Sequence, residues 1–184
     1  MANECIFEDI TLSDFIKREL SKQKSDVKLN DDWLYLLDII ETRLEEESSG
    51  GYYYHDFMEI IFNGKKYYTL SLDDKEVMIT DYCPYLILDF NNKRVIRNAL
   101  GMMGEVTECY WDEYGNELII NGEYYEVDFN NNSLIQLLMA GITYITAQNI
   151  IDLREQGLIT KDKINELLES NIINDAYFLR FYKR

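Results

Sequence analysis

The dipeptide Asn63-Gly64 is the feature of this sequence that most restricts its fold. It separates two runs, YYYHDFMEIIF and KKYYTLSL, whose residues alternate between two faces. A type I′ turn needs positive φ at both central residues, which Asn and Gly tolerate, so the pattern predicts a two-residue β-hairpin. The same dipeptide recurs at Asn121-Gly122, between NELII and EYYEVDF, and predicts a second hairpin. Further turn signals extend the alternation to an antiparallel meander over residues 51–132.

Both ends of the chain show helical periodicity instead. Residues 11–23 and 30–47 carry apolar side chains at helical spacing, which predicts two amphipathic helices. Residues 133–157 are apolar on more than one side, so we expect a buried helical stretch with a break near Gly141 or Thr146.

The predicted fold class is therefore α+β, with an antiparallel sheet of about six strands, an N-terminal helical pair and C-terminal helices. The predicted segments are an N-terminal helical segment 1–50, a β meander 51–132 and a C-terminal helical segment 133–184. The stretch SSGG at 48–51 is too short to mark a domain boundary, so we expect one compact domain. Two lobes divided near residue 50 are the alternative.

One C-terminal stretch has a resemblance of its own. LREQGLITKDKINELLES, residues 153–170, resembles the short helix–turn–helix tails called SHOCT-like segments. The resemblance implies oligomerisation, and hence a homodimer through the C-terminal helices. An ordinary helical hairpin explains the same pattern of leucines, and both interpretations stay open.

The charge of the chain is strongly negative and unevenly spread. The 34 acids and 18 bases give a net charge of −16, and residues 98–153 contain no Lys or Arg at all. Such a field repels DNA, RNA and anionic membranes, and it attracts basic protein surfaces. In cells, basic surfaces are commonly those that hold nucleic acid.

Compartment is predicted from three absences. No stretch approaches the roughly 20 apolar residues that cross a bilayer, and the first residues lack the basic and apolar regions of a secretory signal. The three cysteines, Cys5, Cys83 and Cys109, are widely spaced and form no CxxC pair. We therefore expect reduced, buried thiols in a cytoplasmic protein.

The predicted functional surface lies in the base-free segment. A turn at Asn121-Gly122 would place Glu117 directly across from Glu126, and like charges in that position destabilise a strand pair. The predicted partner-binding residues are seven acids and one tyrosine of this segment: Glu108, Asp112, Glu113, Glu117, Glu123, Tyr124, Glu126 and Asp128. The alternative is a solvated acidic face with no partner.

Carboxylates at this spacing imitate a nucleic-acid backbone. On a strand they lie about 5 to 7 Å apart, close to the phosphate spacing of an extended strand. We therefore predict a non-enzymatic inhibitor that binds the basic groove of a nuclease or defence effector, of the anti-CRISPR or antirestriction type found in phages and mobile elements. The alternative is a toxin-neutralising immunity protein or another acidic protein-binding module. Neither function needs a cofactor, and we expect no metal and no catalytic residue.

An enzyme that uses Asp and Glu through a metal is a third hypothesis. Asp56 followed by Asp73-Asp74-Lys75 resembles the D…(D/E)xK pattern of metal-dependent nucleases, but the second group is predicted to form a tight turn. His55 is the only histidine, and no nucleophile motif adjoins it. With Glu59 it could bind a metal only on a helix, whereas Glu59 is predicted to lie in a strand. A pair of His55 with Cys83 stays open.

Overall fold

The computed structural model describes residues 8–48, 50–75, 85–98, 105–111, 118–124, 128–142 and 144–169. In chain order they form α1 (Leu12–Lys22), α2 (Asp31–Glu47), β1 (Tyr52–Phe62), β2 (Lys65–Asp74), β3 (Tyr85–Asp89), β4 (Arg94–Arg97), β5 (Glu105–Trp111), β6 (Leu118–Tyr124), α3 (Leu134–Met139), α4 (Tyr144–Glu155) and α5 (Lys161–Glu169). The predicted α+β fold is confirmed.

The sheet is a simple antiparallel meander. Its strand order is β1-β2-β3-β4-β5-β6, so each strand pairs with its neighbours in sequence and β1 and β6 form the two edges. Asn63 and Gly64 have φ of 50° and 73° and join Phe62 to its partner Lys65, which confirms the first predicted hairpin. Short connections of this kind account for the local topology.

The sheet is covered on both faces. Helices α1 and α2 pack on one face, in a core that includes Leu70 and Leu86. Helices α3, α4 and α5 pack on the other, in a core that includes Tyr67 and Ile87. Strand β3 is buried at all five positions because each alternate side chain enters one of the two cores. The run YLIL is therefore apolar throughout rather than alternating.

Glu41 on α2 makes hydrogen bonds to both of the elements that pack beside it. Its carboxylate accepts hydrogen bonds from the backbone N–H of Leu12, at the start of α1, and from the Tyr54 hydroxyl of β1 at 3.0 Å. Burial first, and then the nearby Glu41 carboxylate, raise the pKa of Tyr54, which keeps the phenol protonated as a donor. One acid thus links both helices to the sheet.

The C-terminal layer is interrupted where the sequence predicted. Ser133 and Gln136 form a capping box at the start of α3. Gly141 ends the turn that follows α3. Its φ of 93° is a backbone conformation that residues with a side chain rarely adopt. Tyr85 on β3 then fixes this break, since its hydroxyl donates to the Leu138 carbonyl and lies 3.1 Å from the Ile142 carbonyl oxygen.

The helical hairpin of α4 and α5 accounts for the C-terminal leucine pattern. Thr160 caps α5 by accepting a hydrogen bond from the Lys163 N–H at 3.2 Å. Ile164 is fully buried in the core on that face of the sheet, and Leu167 packs against it. Two apolar side chains of α5 are thus packed within the chain. The predicted homodimer stays a prediction.

The structure bears on the expectations about the cysteines and about a membrane-spanning helix. Cys109 on β5 is buried, and burial raises the pKa of its thiol to about 11, so the thiol is protonated at neutral pH. Cys5, Cys83 and the C-terminal segment from residue 170 lie outside the described residues. Among the helices that the structure describes, none combines the length and apolar character needed to cross a bilayer.

Asp89 closes the β3–β4 turn as a buried, ionised acceptor. Its carboxylate receives Arg94 Nε and Asn92 Nδ2, each at 2.9 Å, and the backbone N–H groups of Asn91 and Asn92 at 3.1 Å. Burial alone would raise the pKa of Asp89, but the hydrogen bonds from Asn92 and Arg94 outweigh it and lower that pKa. The turn that separates β3 from β4 therefore depends on this charge.

We expect Asp89→Asn to lower the free energy of unfolding by about 2 to 4 kcal/mol at pH 7, because Arg94 loses its buried counter-ion. A carboxyl with a depressed folded-state pKa stabilises above its unfolded pKa of about 4 and loses that effect as pH falls through the folded value. The gap between the two proteins should accordingly shrink below about pH 4. Urea unfolding across pH measures it, with Asp38→Asn on exposed α2 as the control. Equal midpoints at pH 7 would contradict the role of Asp89.

We expect Tyr85→Phe to lower the free energy of unfolding by about 1 to 2 kcal/mol, since the carbonyls at the end of α3 lose their donor. Hydrogen exchange should accelerate chiefly at residues 139–142, where the hydroxyl acts. Tyr110→Phe at a partly exposed position of β5 is the matched control. Equal acceleration of hydrogen exchange in all helices would show that the substitution destabilises the whole fold, and would contradict a local role of the Tyr85 hydroxyl.

Candidate functional site

The base-free segment forms one edge of the sheet. Strands β5 and β6 pair antiparallel over seven residues, from Glu105↔Tyr124 to Trp111↔Leu118, and β6 is the outermost strand. On its inner side β5 pairs with β4, where Val95 lies opposite Cys109. Three acids of this segment, Glu105, Glu108 and Glu123, therefore lie on paired strands at one edge of the sheet.

The second predicted hairpin is wrong. Asn121 and Gly122 lie inside β6, opposite Glu108 and Thr107 of β5, and no turn forms there. The chain reverses instead between Trp111 and Leu118. A ladder of seven pairs with β5 outweighs the local turn preference of one Asn-Gly dipeptide, because strand pairing is decided by tertiary context. The predicted opposition of Glu117 and Glu126, which relied on that turn, loses its basis.

The structure places the predicted site residues unevenly. Glu108 lies on β5 opposite Asn121, whereas Glu123 and Tyr124 lie on β6 opposite Val106 and Glu105. Asp112, Glu113, Glu117 and Glu126 lie outside the described residues. Three of the eight are thus placed in backbone register on the same pair of strands, and their side chains are not part of the description.

Asp128 has a local structural role. Its carboxylate accepts the Asn131 side-chain amide at 2.8 Å and the backbone N–H groups of Asn130 and Asn131 at 3.0 and 3.2 Å. The hydrogen bond from the Asn131 side chain, supported by those from the backbone, lowers the pKa of Asp128. Arg154 binds the same turn through the carbonyls of Phe129 and Asn132. Asp128 therefore closes the turn that leads into α3.

Cations near this edge include Arg94 and Arg97 on β4 and Arg43 on α2. Burial raises the pKa of Cys109 on β5, and the charge of Arg43 partly opposes that shift. Arg94 pairs in register with Tyr110, but its guanidinium is engaged with buried Asp89 at 2.9 Å. Arg97 lies opposite Thr107, and burial lowers its pKa to about 10, which leaves it charged at neutral pH. Arg94 is therefore already paired with Asp89 inside the fold, and Arg97 is half-buried in the sheet.

A second acidic feature lies at the opposite edge, where β1 contains a bulge. The register shifts between His55, opposite Ser71, and Met58, opposite Thr69, and Asp56 has φ of 52°. This bulge turns His55 between two carboxylates. Its Nδ1 lies 2.9 Å from Asp56 Oδ2 and its Nε2 lies 3.1 Å from an Asp73 oxygen. One weak signal of the bulge is visible in the sequence, namely an aspartate in the middle of an alternating run.

The nuclease-like pattern is only partly assembled. Asp56 and Asp73 both lie beside His55, but the predicted tight turn at residues 73–75 is wrong, since β2 continues through Asp74. Lys75 forms an ion pair with Asp9 and lies 5.2 Å from the centre of the Tyr53 ring. The lysine is thus engaged by Asp9 and the Tyr53 ring.

His55 also gains no metal partner from Glu59. Glu59 lies on β1, as predicted, where it accepts a hydrogen bond from the Tyr68 hydroxyl at 3.2 Å. Within the described ranges no group of three or more His, Cys, Asp or Glu side chains is arranged to hold a metal ion. The proposed pair of His55 with Cys83 lies in part outside these ranges.

Comparison with known proteins returns no family model, no curated protein and no solved structure that matches this chain.

Proposed function

We propose that this protein is a non-enzymatic inhibitor that acts in the cytoplasm by placing its β5–β6 edge in the basic nucleic-acid groove of a nuclease or defence effector. The observation that carries the proposal is the position of the base-free segment. Six of its nine acids lie on β5, on β6 or between them, and these are the last two strands at one edge of a six-stranded sheet. Helices cover both faces of the sheet, so the edge is the part of β5 and β6 that a partner can reach.

The backbone register supports a phosphate-like spacing. Glu123 lies two positions along β6 from Asn121, the partner of Glu108. Diagonal positions of this kind are about 7 to 8 Å apart, comparable with the phosphate spacing of an extended nucleic-acid strand. Because seven backbone pairs fix the two strands, little conformational entropy would be lost when the edge meets its target.

The charge balance favours a basic partner. The segment contains no Lys or Arg, and Arg94 on the neighbouring strand forms an ion pair with Asp89. Arg97, Arg43 on α2 and Arg154 beside Asp128 are counter-charges that weaken the field of this segment. A net charge of −16 steers the whole protein toward a Lys/Arg-lined groove, and the displaced counter-ions add to the affinity.

A panel of DNA- and RNA-cleaving effectors provides the test. We suggest a Cas9–guide complex, a type I restriction endonuclease, a ribonuclease and a nuclease toxin, each assayed for cleavage against rising concentrations of this protein. We expect stoichiometric inhibition of a nucleic-acid-processing effector. Inhibition of the toxin alone would replace the proposal with the immunity-protein alternative, and inhibition of none would reject both.

Charge reversal locates the interface. Glu113→Lys with Glu117→Lys changes the β5–β6 connection without altering the ladder, and should raise the inhibitory concentration about 10- to 100-fold through loss of two charge-assisted contacts. Asp38→Lys with Glu46→Lys, both on exposed α2, gives the same net charge at another place. This control should stay within about threefold of the parent. Equal loss in both variants would mean that overall charge acts and the edge does not.

A further inference from the structure

An open groove of about 570 Å³ lies at the sheet edge opposite to the β5–β6 edge. Strands β1, β2 and β3 form its floor, and α3 with the start of α4 forms its wall. The lining residues on which its chemistry depends are Asp56, Met58, Thr69, Tyr85, Tyr144 and Ile145. The volume is that of a small-molecule site rather than of a packing defect.

The bulge in β1 gives the groove its charge. Asp56 sits at the bulge in the left-handed region, and 79% of its side chain is exposed. Asp73 lies next to it across His55, which contacts both carboxylates. The bulge thus places one carboxylate at the mouth of the groove with a second close by. Bulges often re-aim a side chain beside a functional site.

The aromatic walls are held in place before any ligand binds. Tyr85 is tied by its hydroxyl to the carbonyls that follow α3. Tyr144 accepts a hydrogen bond from the Gln148 side chain at 2.9 Å, one turn further along α4. Since both rings are fixed through their hydroxyls, a ligand that packs on them would not have to order them.

The groove also leaves apolar surface in water. Met58 is 38% exposed and Ile145 is 74% exposed, and they are among the most exposed large apolar residues that the structure describes. Both belong to the groove. A ligand with an apolar body would cover them and gain the free energy of that burial.

The sign of the ligand charge follows from a comparison of magnitudes. The start of α4 contributes at most about half a positive charge, which would favour an anion. Asp56 contributes a full negative charge, and Asp73 adds a second beside it. His55 lies between them and offsets one of the two when it is protonated, so at least one negative charge remains. No Lys or Arg is among the residues that line the groove in the described part of the chain. The site is therefore anionic, with aromatic faces that also attract cations.

We propose that this groove binds a small organic cation, an ammonium or guanidinium group carried on an aromatic or alkyl body. The cationic head would pair with Asp56, and the body would lie between Tyr85 and Tyr144 against Met58 and Ile145. This site is separate from the β5–β6 edge and does not depend on the function proposed for it.

A series of indole compounds with one shape and three charges tests the proposal. Tryptamine is cationic, tryptophol is neutral and indole-3-acetate is anionic. We expect calorimetry to give tryptamine at least tenfold tighter binding than tryptophol, and no binding of indole-3-acetate. Ethylammonium, which has the charge without the body, should bind at least tenfold more weakly than tryptamine. Equal binding of tryptophol, or preference for the anion or for ethylammonium, overturns the proposal.

Asp56→Asn is the decisive variant, because asparagine tolerates the left-handed backbone and keeps an acceptor for His55. It should weaken tryptamine binding about 10- to 100-fold while its circular dichroism stays unchanged. Asp38→Asn on α2 carries the same change in charge and should bind as the parent does. Ile145→Ala, at an exposed position, should weaken tryptamine by about threefold or more through lost burial.

Amide chemical shifts then locate the bound amine. Changes on titration with tryptamine should cluster at Asp56, Met58 and Ile145. Changes that cluster on β5 and β6 would show general attraction of a cation to an acidic protein, and would reject the groove as the site. An Asp56→Asn protein that binds tryptamine as tightly as the parent would reject it equally.

Discussion

Burial of the sheet on both faces is the constraint on which the rest of this structure depends. A meander of consecutive strands can be formed by local turns, but it becomes stable only when each face is covered. The chain meets this need with its two ends, since α1 and α2 cover one face and α3, α4 and α5 cover the other. The central strands are then largely buried, and the parts of the sheet that other molecules can reach are its two edges and the groove beside β1.

Turn and glycine signals in the sequence correctly predicted those features that depend on a few neighbouring residues. Asn63-Gly64 forms its turn because the runs on either side have no competing partner, and the break at Gly141 follows from the backbone freedom of glycine. Asn121-Gly122 carries the same signal and fails, because β5 offers the whole of β6 a longer ladder. A dipeptide preference of a few tenths to about 1 kcal/mol yields to seven paired residues. The sequence of a strand therefore does not by itself determine which strand it pairs with.

The candidate sites show the same division. The base-free segment is a property of sequence alone, and the structure adds that it lies at a sheet edge. Which acids face one another could not be predicted, since that follows from register. The groove at β1 could not be predicted at all. It requires a one-residue shift between His55 and Met58 and the meeting of residues from β1, β3 and α4, which are up to about ninety positions apart in the chain.

The meander also separates the two anionic features physically. Neighbouring strands lie about 4.8 Å apart, so β1 and β6 are some 24 Å from one another across the sheet. This distance is about three Debye lengths at physiological ionic strength, and exposed charges at that range are largely screened. A charge change at one edge should therefore leave ligand binding at the other nearly unaltered, unless the covered sheet itself rearranges. Since its two cores are packed against the same central strands, a rearrangement of that kind would have to disrupt both. We therefore expect the two proposed sites, one at each edge, to act independently of one another.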